Sequence, residues 1–169
     1  FPGETVIRPA RDADVLVLAG DIHVGTAAVE LFRDWPVPVL YVVGNHEAYG
    51  LCLDDVREQF AIATKGTSIT VLERDTVDFG GVRFLGCTLW TDYQLLPDRP
   101  QQALMAHAAA RLNDHRRIRV RNGDLFSPEH ALSEHESSRG WLTRELARPY
   151  DGATVVVTHH GPHPLSVHP

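Results

Sequence analysis

The chain has 169 residues, of which 43 % are hydrophobic and 22 % charged, and its formal net charge is -6. That is the size of one ordinary domain with a sizeable core, and the balance excludes a disordered chain. An acidic surface gives no electrostatic reason for non-specific binding to nucleic acid or to an anionic membrane, both of which require a basic face.

Cys52 and Cys87 are the only cysteines, too few for a disulfide framework, so reduced thiols in a cytoplasmic setting are the simplest expectation. No apolar run approaches the roughly 20 residues of a membrane helix, and no basic, apolar leader opens the sequence. Lys65 is the single lysine, which leaves no lysine elsewhere to serve as nucleophile or phosphate clamp. Ten histidines are present, four of them in the last eleven residues.

In chain order, "ADVLVLAGDIHVG" (13–25) opens with a short Val/Leu run closed by Gly20 and Asp21, the pattern of a strand buried on both faces. "TAAVELFRDW" (26–35) reads as a helix with Thr26 at its N-cap and Ala28, Leu31, Phe32 and Trp35 on one stripe. "VPVLYVVGN" (37–45) is a second buried strand, so the first 45 residues form a βαβ unit and favour a parallel sheet. "LDDVREQFAIA" (53–63) is another helix, and "SITVLERDTVDFGGVRFLGCTLW" (68–90) reads as two strands turned at Gly80–Gly81. "PQQALMAHAAARLNDH" (100–115) is helical by propensity, and 118–126 is loop. A helix over 127–147 starts with Ser127 as N-cap and Pro128 at its first position, and "ATVVVTHH" (153–160) is a further buried strand.

Three of these apolar strands end in groups that bind metals. Asp21 follows "VLVLAG", Asn45 and His46 follow "VLYVVG", and His159 and His160 follow "TVVVT". In an open α/β sheet the carboxyl ends of strands converge on one edge, where ligands bind. A carboxylate, an amide oxygen and an imidazole suit Mn, Fe, Zn or Mg. Gly20 and Gly44, before Asp21 and Asn45, allow the backbone to turn sharply there. His159 and His160 are consecutive strand residues that face opposite ways, so one of them reaches the edge; His159 is favoured, with His160 left to support it or to touch substrate.

"AGD" at the end of one strand, "GNHE" 24 residues later and "VVVTHHGPHP" near the end resemble the calcineurin-like metallophosphoesterases, and "GVRFLGCTLWTDY" (81–93) is similar to a bacterial branch of them. The resemblance runs from about residue 13 onwards. It implies a four-layer α-β-β-α sandwich and two divalent ions about 3.5–4 Å apart. It further implies that Asp21 bridges the ions, that Asn45 and His159 bind the second, that His46 contacts the phosphoryl group and protonates the leaving oxygen, and that Glu47 supports the loop. A hydroxide between the metals would then attack a phosphomonoester or phosphodiester in line. The family's first motif, DxH, and its last, GHxH, have no match in these positions, which is expected of a metallophosphoesterase domain over 1–169 that is incomplete at both ends and binds metal weakly as it stands.

Two alternatives compete. Asp21–Ile22–His23 itself spells DxH, but the GD that should then precede GNHE is absent between 24 and 44, so His23 is expected to line the pocket or to cap the helix near Thr26. A non-catalytic, protein-binding module on the same fold would also explain the missing motifs. A Rossmann-type nucleotide binder is disfavoured because no GxGxxG follows the first strand. Of the other histidines, His107, His115, His130 and His135 are expected to be structural, with His135 the one of them to point at the pocket, and His163 and His168 to be solvated in a proline-rich loop; Trp90 is expected in the core.

Overall fold

A computed structural model describes residues 9–166, so the opening stretch up to Arg8, together with Val167, His168 and Pro169, lies outside the described residues. Two three-stranded sheets form the centre. The first contains β1 (Leu16–Leu18), β2 (Val39–Tyr41) and β3 (Ile69–Val71), all parallel, with Leu18 opposite Tyr41 and Tyr41 opposite Val71. The second contains β4 (Asp75–Phe79), β5 (Val82–Cys87) and β6 (Ala153–Thr158). Here β4 and β5 form an antiparallel hairpin through Gly80–Gly81, and β6 joins β5 in parallel.

The alternation of β2 explains the layering. Val39 and Tyr41 face α1 (Ala27–Phe32) and α2 (Leu53–Ala63), packing with Ala28, Val29, Phe32, Val56 and Phe60. Leu40 and Val42 point the other way and meet Phe84 and Val157 of the second sheet together with Leu72. On the far side of the second sheet lies α5 (Pro128–Ala147), whose last carbonyls, at Glu145 and Arg148, accept from the buried Arg83 guanidinium of β5. The result is the expected mixed α/β sandwich with helices outside two sheets. α3 (Gln101–Arg111) packs against α5 and against α4 (Asp114–Arg117), and its Met105 and Ala108 share one cluster with Trp90, Ile118 and Phe126.

Several elements differ from expectation. The run 68–79 is not one strand: the chain leaves the first sheet after Val71, buries Leu72 between the sheets, turns at Arg74 with φ 52 and enters the second sheet at Asp75. α1 ends at Phe32, and Thr26 precedes it without a side-chain cap. The expected helix over 100–115 breaks at Leu112, whose extended backbone separates α3 from α4. β6 is not buried on both faces, with Val155 and Val156 39 % and 41 % exposed, and among the described residues it is an outer strand of its sheet; Val17 on β1, an outer strand of the first sheet, is similarly open. By contrast α2 occupies 53–63, and α5 begins as its sequence requires, with Pro128 at its first position and Ser127 and His130 exchanging side-chain-to-backbone bonds in a capping box.

Candidate functional site

Glu47 organises the loops that follow β1 and β2. It sits in a short 3₁₀ turn (His46–Ala48), is fully buried, and accepts from four donors: the backbone N–H groups of Asp21 (3.0 Å), Ile22 (2.8 Å) and Gly44 (3.0 Å) and the Tyr41 hydroxyl (2.7 Å). Burial and the facing Glu47 charge push the Tyr41 phenol upward, so it stays protonated and donates. One carboxylate thereby ties two strand ends together. The two glycines serve different ends. Gly20 has φ 88 and precedes Asp21 at φ 60, a left-handed pair that swings the Asp21 carboxylate back over the sheet edge. Gly44 has no such need of a turn; a Cβ there would lie 2.3 Å from Asp21 Oδ1 and 2.9 Å from Glu47 Oε2, so its requirement is close approach.

Asp21, Asn45 and His159 meet. His159 Nε2 lies 2.9 Å from Asn45 Oδ1 and 3.4 Å from Asp21 Oδ1, while its Nδ1 is 2.7 Å from the Ala19 carbonyl. The carbonyl cannot donate, so Nδ1 carries a proton, which leaves Nε2 as the ring atom facing the two oxygen atoms. The orientation of the Asn45 amide is set from the other side: its Nδ2 donates to Asp114 Oδ1 (2.7 Å) and to the Tyr49 hydroxyl (3.1 Å), and Tyr49 in turn donates to Asp114 at 2.7 Å. Rotating the amide would face its oxygen with the Asp114 carboxylate. Three acceptor atoms from three segments therefore converge on one point, a donor set suited to a hard or borderline divalent cation. Among the described residues no group of three or more His, Cys, Asp and Glu side chains could hold a metal, since the third acceptor here is an amide.

His46 stands outside this cluster with its side chain 53 % exposed, Nδ1 3.5 Å from Asp21 Oδ2 and its ring 4.3 Å from that of Tyr49. Its backbone N–H donates to Asp21 Oδ1 at 3.0 Å. His160 turns away from His159: it stacks on Trp90 at 5.3 Å, Nδ1 lies 3.1 Å from the Thr88 carbonyl, and burial and the neighbouring His159 hold its pKa below the usual histidine range. His23 is exposed, and among the described residues its ring is hydrogen-bonded to the carbonyl of Val24 and not to Asp21, Asn45 or His159, nor does it cap α1. Among the other histidines, His115 is buried between the Phe126 carbonyl and the Tyr93 hydroxyl. Asp114 and Tyr49 are the site residues that sequence reasoning missed. Asp114 lies in an Ala-rich helical stretch with no motif around it, and Tyr49, four residues after Asn45, resembles any helix-facing aromatic. Burial, with Asp114 beside it, also raises the Tyr49 phenol, which keeps it a donor.

The fold is thus a layered α/β sandwich with an aspartate, an asparagine and a histidine gathered just past the carboxyl ends of strands from both sheets. The model of the calcineurin-like phosphoesterases matches residues 4–169, and the chain belongs to that family. Neither the curated proteins nor the solved structures contain a match to the sequence.

Proposed function

We propose that this protein hydrolyses phosphomonoesters or phosphodiesters with a divalent metal held by Asp21 Oδ1, Asn45 Oδ1 and His159 Nε2. The observation that carries the reading is the convergence of those three acceptors, with the proton of His159 on Nδ1 and the donors of Asn45 turned outward to Asp114. Asn45 contributes an uncharged oxygen that limits negative charge around the ion. When bound, the cation supplies Lewis acidity and lowers the pKa of water at the site, so that water attacks phosphorus without a protein nucleophile. The chain's own part is positioning and proton transfer. Glu47 fixes the loops that carry Asp21 and Asn45. His46, exposed and braced by Asp21 and Tyr49, contacts the phosphoryl oxygens; as the phosphorus–oxygen bond breaks, the leaving oxygen takes the proton from His46 Nε2. A second ion in the mature centre, and the identity of either among Mn, Fe, Zn and Mg, belong to this reading as the family implies it. The free Cys52 and Cys87, and described residues that include no helix long and apolar enough to cross a membrane, accord with a cytoplasmic setting.

Release of p-nitrophenol from mono- and bis-nitrophenyl phosphate by the full-length protein with Mn tests this. A metal-dependent rate, abolished by chelator and lowered about 10²–10⁴-fold by His46→Ala, is expected; a rate indifferent to both would sink the proposal. The absence, among the described residues, of a three-residue His/Cys/Asp/Glu group favours a second reading, a protein-binding module on the same scaffold. No metal-dependent turnover by the full-length protein together with no measurable metal binding would select it.

A further inference from the structure

Beside the His159–His160 pair lies a hollow of about 520 Å³ whose walls include Trp90, Asp92, Leu95, His135, Arg139 and His160. We propose that it receives the alcohol part of the substrate, and that the substrate is a small-molecule phosphate ester with a compact, partly apolar alcohol group bearing hydrogen-bond donors and acceptors. This rests on the phosphoesterase reading above.

Continuity with the site comes first. The His160 ring forms one wall and lies edge-on to His159 at 4.9 Å, and His159 touches Asn45 at 2.9 Å, so a phosphoryl group at His159 has its ester arm beside the hollow. The size falls within the roughly 300–1,000 Å³ of pockets that take a small ligand.

The chemistry of the walls is mixed. Leu95 and Pro162 are apolar, Arg139 is an exposed cation and Asp92 an anion. His135 is 9 % exposed, and neither of its ring nitrogens makes a hydrogen bond to a described residue; Asp92 Oδ2, at 3.8 Å from Nε2, is beyond bonding range. A buried polar group without a partner is unfavourable. The residue lines the hollow while its ring nitrogens are covered, so a ligand's donor or acceptor would meet them only after the ring turns. The wall after β5 is also held in costly backbone, with φ 73 at Leu89 and 55 at Trp90. Such non-glycine left-handed residues gather where ligands are clamped.

The test uses phosphate-free probes, adenosine and 4-nitrophenol, titrated calorimetrically into the metal-free protein. Saturable binding is expected, weakened about tenfold or more by Leu95→Trp, which narrows the hollow from its rim, and also reduced by Arg139→Ala, while His46→Ala leaves it unchanged. Circular dichroism confirms that the variants fold. In turnover, Leu95→Trp should raise KM for adenosine monophosphate while leaving release from a phosphoserine peptide as slow as in the wild type. No binding of either probe, equal binding by Leu95→Trp, or preferential hydrolysis of the phosphopeptide would overturn the proposal. Binding without any hydrolysis would leave the hollow standing and remove the catalytic reading instead; hydrolysis without binding would do the reverse.

Discussion

Asp114 illustrates how much of the site depends on residues that never touch the converging atoms. Its carboxylate holds the Asn45 amide with the oxygen inward, at 2.7 Å from Nδ2. Asp114→Ala releases that amide to turn a donor toward His159, and Mn affinity measured by calorimetry should fall about 10–100-fold, the usual effect of losing a group that orients a metal ligand. An affinity equal to that of the wild type would show that Asn45 needs no such support. Glu47 makes a complementary case. With four donors on one buried carboxylate, Glu47→Gln puts an NH₂ where an acceptor is required, and urea unfolding should show a loss of about 2–4 kcal/mol. A change within about 0.5 kcal/mol would mean the loops hold without it. Cys87, whose thiol burial pushes up to about 12, is inert at neutral pH and plays no part in this chemistry.

At the scale of elements, the helices are tied to the sheet crossing by charge. Glu134 of α5 accepts from Arg57 of α2 at 2.7 Å and from Arg74, in the turn between the sheets, at 2.8 Å. Burial alone would raise the Glu134 carboxyl, but the hydrogen bonds and charges of the two arginines outweigh it and hold the group at about 2. A carboxylate depressed in the folded state stabilises above its unfolded pKa, about 4.3, and that stability disappears as pH falls toward the folded value. Between pH 4.5 and 2 the protein should therefore lose roughly 1–2 kcal/mol that Glu134→Gln does not lose, after allowance for solvent screening of a side chain that is 23 % exposed. Parallel acid limbs for the two proteins in denaturant titrations would refute this. The same interactions explain why the stretch 68–79 crosses between sheets: Leu72 fills the space between them, while Glu73 and Arg74 are drawn to the ion pairs beside α2 and α5.

Across the whole molecule, the converging atoms come from both sheets, Asp21 and Asn45 following β1 and β2, and His159 following β6. A cation bound there clips one sheet to the other and favours the folded state by mass action, about 2.7 kcal/mol at a hundredfold excess over Kd. Thermal unfolding should shift upward with Mn, return with chelator, and show no shift in Asn45→Ala; an equal shift in that variant would place the metal elsewhere. What the sequence by itself determined was local. The 3.6-residue spacing of α2, the Ser127–Pro128 start of α5, the Gly80–Gly81 turn and the polar groups closing apolar strands are all signals within a few neighbouring residues. Tertiary structure alone decided that Ile69–Val71 joins the first sheet, that β6 is an outer strand among the described residues, and that Asp114, 69 residues from Asn45, orients its amide. Those contacts are chosen by which distant faces bury each other and which charges meet there, and such pairings leave no periodicity or spacing in the chain.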